Sequence, residues 1–154
     1  YPFYPGTGAP WQVGEGLGAG FTVNAPLPGQ QGDGDYGAVF SELFLPVLEQ
    51  YQPQLLIVSA GFDAHRSDPI GGMHLTERGF AAMCSALKQQ RDGKLVLLLE
   101  GGYHLDALAQ SVHACVEVLA GERTESFPGG VRPDTVAALV ETIAHQKKFW
   151  KALS

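Results

Sequence analysis

Asp63, His65 and Asp68 fall within six residues of one another in the run Ser59-Ala60-Gly61-Phe62-Asp63-Ala64-His65-Arg66-Ser67-Asp68-Pro69. Carboxylate and imidazole are the ligand types that suit zinc or a similar divalent ion in a hydrolytic site. A second cluster, Glu100-Gly101-Gly102-Tyr103-His104, places a phenol behind paired glycines. Such glycines let the backbone turn tightly and come close to a ligand. A tyrosine hydroxyl held near a metal can donate to the oxyanion that forms when water attacks a carbonyl. Taken singly, each aspartate equally suits a turn or a helix cap, and the tyrosine equally suits half-buried packing.

Both clusters follow short apolar runs that read as buried strands, Leu55-Leu56-Ile57-Val58 and Lys94-Leu95-Val96-Leu97-Leu98-Leu99. In open parallel α/β sheets, ligand-binding loops sit at strand ends. Helical spacing accounts for most of the rest. Tyr36, Val39, Phe40, Leu43 and Val47 predict a helix over 35–51, with Pro46 expected to kink it. Thr76 suits the cap of a helix whose buried stripe is Phe80, Met83, Cys84 and Leu87, closed by Gly93. Leu105, Leu108, Val112, Val116 and Leu119 predict a helix ending at Gly121, and Val136, Leu139, Val140 and Ile143 mark a last one over 134–152. The order strand-helix-strand-helix predicts an α/β protein with a parallel strand pair and a right-handed crossover. The first 35 residues hold half of the ten prolines and nearly half of the 20 glycines, which predicts a long ordered loop of the kind that often carries function.

With these residues in view, the chain resembles the zinc-dependent histone deacetylase superfamily, including its bacterial deacetylase and acetylpolyamine amidohydrolase relatives. Phe3-Tyr4-Pro5-Gly6-Thr7-Gly8 resembles the family's pocket loop, and Asn24-Ala25-Pro26-Leu27 the segment after it. Ser59 to Pro69 resembles its third metal-ligand loop, and Leu99 to Tyr103 its catalytic-tyrosine loop. Four motifs in order make the signal specific. The resemblance implies a three-layer α/β/α fold with a mainly parallel sheet. It also implies that Asp63 is a zinc ligand and that Tyr103 polarises the scissile carbonyl. Tyr4 would wall the acyl-chain channel with Phe3 behind it, Ile70 would lie near the channel, and Gly101 and Gly102 would approach the acetyl end of the substrate. Asp68 is expected to take loop amides and hold Asp63 in place, with His65 beside the ligand or at the surface. His74 and His104 are expected at the rim, Trp11 at the entrance or packed under its loop, and the Phe21 carbonyl at a monovalent cation such as K+.

The family's Asp-x-His ligand pair on an earlier strand and its paired His-His base have no counterpart here. The tripeptide Asp63-Ala64-His65 has the Asp-x-His form, but it lies in the resemblance's third metal-ligand loop, which uses only its aspartate. The five histidines are His65, His74, His104, His113 and His145, none adjacent to another. Catalytic zinc takes about three protein ligands and an open position, so residues 1–154 are expected to be the C-terminal portion of one catalytic domain, completed by the remainder of that domain and inactive as an isolated segment. The start without Met, inside a Gly/Pro-rich loop, agrees. The net charge of -6 argues against a nucleic-acid binder, and no apolar run approaches the roughly 20 residues of a membrane span. Cys84 and Cys115 read as buried free thiols of a cytoplasmic protein. The implied activity is hydrolysis of N-acetyl-lysine in proteins or peptides. An acetylpolyamine or other small acetylated amine as substrate, a non-catalytic module that binds an acylated ligand, and an unrelated α/β protein are the alternatives.

Overall fold

The computed structural model describes residues 6–90 and 93–154. The chain is α/β. Its helices are α1 (Asp33–Val39), α2 (Leu45–Tyr51), α3 (Glu77–Gln90), α4 (Leu105–Ala120) and α5 (Pro133–Gln146), and its strands are β1 (Leu56–Ala60) and β2 (Leu95–Leu99). The strands pair in parallel, Leu56 opposite Leu95 and Ala60 opposite Leu99. Both therefore run out at the same end of the sheet, and the residues after Ala60 and Leu99 emerge side by side. Glu100 donates its amide to the Ala60 carbonyl at 3.0 Å, continuing the pairing beyond the strands.

One face of the strand pair packs on α3 and α4. Phe62, Leu75, Phe80, Ala81, Cys84, Ala114, Cys115 and Val118 form that core, with Ala60 and Leu97 against it. Cys84 and Cys115 are buried and free, as their apolar surroundings predicted. A second core joins Ala38, Val39, Leu43 and Leu139 to Val23, Ala25 and Leu27 of the long N-terminal loop. That loop is tied down by amide side chains. Asn24 Nδ2 donates to the carbonyls of Ala9 and Gln12, both at 3.0 Å, and Gln12 Oε1 accepts the amides of Gly8 and Ala9 at 2.7 and 2.8 Å.

Two helices differ from the spacing-based expectation. Residues 33–51 do form one helical run, but Phe40–Phe44 is a π-helical turn in which the Leu45 amide bonds to the Phe40 carbonyl. The widened turn precedes Pro46, whose missing N–H and ring an ordinary α-turn accommodates poorly. At the C-terminus, α5 stops at Gln146 rather than near 152. Gln146 Nε2 donates to the Thr22 carbonyl at 2.7 Å and Trp150 Nε1 to that of Gly20 at 2.9 Å, so the chain turns back onto the N-terminal loop. Periodicity could not register those distant partners. No helix among the described residues is long and apolar enough to cross a membrane.

Candidate active site

The two clusters of chemically capable residues meet at the common end of β1 and β2. The Phe62 amide donates to the Gly101 carbonyl at 2.8 Å, locking the two loops together where Asp63 and Tyr103 follow. Asp63 sits in a cradle of glycines. A Cβ on Gly101 would come within 2.6 Å of Asp63 Oδ2, one on Gly61 within 3.3 Å of Oδ1, and one on Gly71 would overlap the Asp63 carbonyl. The glycines at 61, 71 and 101 thus leave room for this carboxylate and its backbone. Gly102 has φ of +134°, a conformation that L side chains rarely adopt, and a Cβ there would press on Leu108 Cδ1 at 3.0 Å.

Asp68 has a different task. Its Oδ1 accepts the amides of Ile70 and Gly71 at 2.8 and 3.1 Å, and its Oδ2 accepts the amide of Tyr103 at 2.7 Å. Burial pushes its carboxyl pKa up, but the amides of Tyr103, Ile70, Gly71 and His104 outweigh that and hold it below the usual carboxylate range. The amides it holds come from its own loop and from the loop of Tyr103, a wider role than holding Asp63. Tyr103 itself is 58% exposed in the loop that follows β2.

His65 is buried rather than at the surface. Its Nδ1 accepts the Ser67 amide at 3.1 Å, and its Nε2 lies 3.7 Å from Glu77 Oε2 at the start of α3. Those contacts turn the ring toward loop and helix. His104 caps α4, its Nδ1 accepting the Ala107 amide at 3.3 Å. His74 lies in an isolated parallel bridge with Gly32, where its amide donates to the Gln31 carbonyl at 2.8 Å. Ile70 is exposed at the tip of the Asp68 loop, and Trp11 is also exposed. The carbonyls on either side of Phe21 already accept from Trp150 and Gln146, and its ring packs edge-on against Tyr51 and Trp150. Phe3 and Tyr4 lie outside the described residues.

Sequence reasoning passed over Tyr36, which it placed on a helix stripe. Burial, and after it the Asp63 charge, push the Tyr36 phenol up to about 12, so it stays protonated beside the carboxylate. It also passed over Asp33 and Asp35, which a Gly-rich stretch disguises as turn residues. Asp33 accepts the Thr76 amide at 2.8 Å and the Thr76 hydroxyl at 2.6 Å, and so binds α1 to the head of α3.

The zinc implied by the resemblance takes about three protein ligands. Among the described residues no three His, Cys, Asp or Glu side chains converge in such a group. Asp63 fits as a single ligand: it is a carboxylate at a strand-end loop, set against glycine backbone. Asp68 does not fit, because its oxygens are committed to amides.

Comparison with known proteins matches this arrangement. The model of the histone deacetylase domain matches residues 1–119. Histone deacetylase HDA1 of Candida albicans is 44% identical over 98% of this chain, and histone deacetylase 15 of Arabidopsis thaliana is 38% identical over 99% of it. The chain spans only 19% and 28% of the length of those two relatives. Among solved structures, the HDA15 HD domain superposes with a TM-score of 0.90 over 98% of this chain and 41% of its own. The histone deacetylase Clr3 superposes with a TM-score of 0.94 over 99% of this chain and 26% of its own, and both structures are 38% identical to it. A shared fold, a matching domain model and identities of this size place the chain in the histone deacetylase family.

Proposed function

We propose that this chain is the C-terminal portion of a zinc-dependent deacetylase catalytic domain that hydrolyses the amide of N-acetyl-lysine in proteins or peptides. The observation that supports it most is the meeting of Asp63 and the Tyr103 loop at one sheet end, joined by the Phe62–Gly101 bond of 2.8 Å. Asp63 would supply one zinc ligand, and the other ligands and a general-base histidine would come from the remainder of the same domain. Bound zinc supplies Lewis acidity and a water of lowered pKa. Tyr103 donates its phenolic proton in a hydrogen bond to the carbonyl oxygen as negative charge develops there. Gly101 carries no side chain that would compete for the space beside Asp63, and Gly102 carries none that would press on Leu108 and Phe62 as the chain turns into Tyr103. Ile70, exposed on the Asp68-held turn, offers an apolar surface to the acyl chain, and the family resemblance assigns Tyr4 to one wall of that channel with Phe3 behind it.

The test is steady-state hydrolysis of an acetyl-lysine peptide by the full-length protein, with and without a chelator. Turnover is expected only with metal present. Tyr103→Phe should lower kcat by roughly 100- to 1000-fold, the usual effect of removing one oxyanion donor, while zinc content stays at the parental level. Parental turnover in that variant would remove Tyr103 from the chemistry. Preferential hydrolysis of an acetylated polyamine would keep the chemistry and change the substrate class.

A further inference from the structure

We propose that Asp68 is a positioning residue for Tyr103, and that its carboxylate sets where the phenol stands. This rests on the reading of Tyr103 as the oxyanion donor. Tyr103 is more than half exposed, so packing within this chain does little to locate it. Its position is inherited from its backbone. The residue before it, Gly102, sits at φ of +134°, in a region open to glycine and nearly closed to others, so the peptide leading into Tyr103 gets little restraint from its own torsions. The restraint comes from across the gap: Asp68 Oδ2 accepts the Tyr103 amide at 2.7 Å, and the His104 amide also faces this carboxylate.

The division of labour between the two oxygens gives the idea its edge. Oδ1 closes the turn of its own loop through Ile70 and Gly71, and Oδ2 reaches the neighbouring loop. A carboxylate accepts on both sides. An asparagine of the same shape has one acceptor and one NH2 donor. Whichever way it is turned, the amides of one loop then face a donor. Asp68→Asn therefore removes the bridge with almost no change in volume. Displacing a catalytic group by about 1 Å costs on the order of 100-fold in rate.

The experiment is a double-mutant cycle in the full-length, zinc-loaded protein on an acetyl-lysine peptide: parent, Asp68→Asn, Tyr103→Phe and the double variant. Asp68→Asn is expected to lower kcat by about 10- to 100-fold, leaving KM within about twofold and zinc content unchanged. In the Tyr103→Phe background the same substitution should cost nothing further, because the group it positions is gone. Equal losses in both backgrounds would overturn the proposal, as would a parental kcat or a loss of zinc that matches the loss of activity. A fully active Tyr103→Phe would overturn the catalytic reading and this inference together. A crippled Tyr103→Phe beside an unimpaired Asp68→Asn would overturn this inference alone. Should Asp68→Asn fail to fold, Asp68→Glu goes through the same cycle. It keeps both acceptors but moves them by one methylene, so it displaces the Tyr103 amide and should lower kcat only while the phenol is present.

Discussion

Asp63 and Asp68 stand five positions apart in one loop, yet their oxygens meet different surroundings. Those of Asp63 lie against Gly61 and Gly101, whereas those of Asp68 are bonded to amides from two loops. Identical side chains thus become a ligand candidate and a scaffold, through neighbours alone. Tyr36 reports on the first of them. Its phenol is raised to about 12 by burial and then by the Asp63 charge. In zinc-free protein, Asp63→Asn should bring the Tyr36 titration down while leaving it above the ordinary 10, because burial is the larger cause. Ultraviolet titration of phenolate, with Tyr36→Phe to identify the transition, makes the comparison. An unmoved transition would mean that Asp63 carries no charge felt at Tyr36.

At the level of elements, acidic side chains on α1 hold the helices together. Asp35 is almost wholly buried and joins α1 to α5: Oδ1 accepts the Arg132 amide and the Thr135 hydroxyl at 2.8 and 2.7 Å, and Oδ2 accepts the Gly32 amide at 2.9 Å. Burial raises its pKa, and the hydrogen bonds of Arg132, Gly32 and Thr135 overcome that and lower it from 3.8. A depressed folded-state pKa adds stability above the unfolded value, and that stability is lost as pH falls through the folded value. Asp35→Asn should therefore cost about 1–3 kcal/mol near neutral pH, the penalty for leaving a buried donor unmet. The gap between parent and variant should narrow once pH drops below about 4. Chemical denaturation at several pH values measures both. A gap independent of pH would show that the charge of Asp35 is immaterial.

For the whole molecule, the informative surface is the sheet face turned away from α3 and α4. Ile57 is 59% exposed and Leu98 53%, and Val96, the partner of Ile57 across the strand pair, is exposed beside them. Residues of this kind on a parallel strand are ordinarily covered on both faces. We expect the remainder of the catalytic domain to lie over them. Leu98→Ala in the full-length protein should then cost about 2–5 kcal/mol, as in a core. A change within about 0.5 kcal/mol, usual for surface positions, would show that the face is open in the whole protein. Thermal or denaturant unfolding of the full-length protein distinguishes the two.

Local sequence alone determined the strands, four helical segments and the two loops that carry Asp63 and Tyr103. Those features rest on short-range periodicity, on glycine and proline at breaks, and on motifs whose residues are contiguous. Tertiary structure decided what contiguity cannot express. It showed that the Asp68 carboxylate reaches the amide of Tyr103, 35 positions away, that His65 turns toward Glu77, and that α5 ends where Thr22 and Gly20 draw the chain back. A carboxylate in a glycine-rich loop looks the same in sequence whether it faces a cation, an amide or water. The donors that distinguish these cases arrive from elsewhere in the chain, because hydrogen bonds and charges act through space.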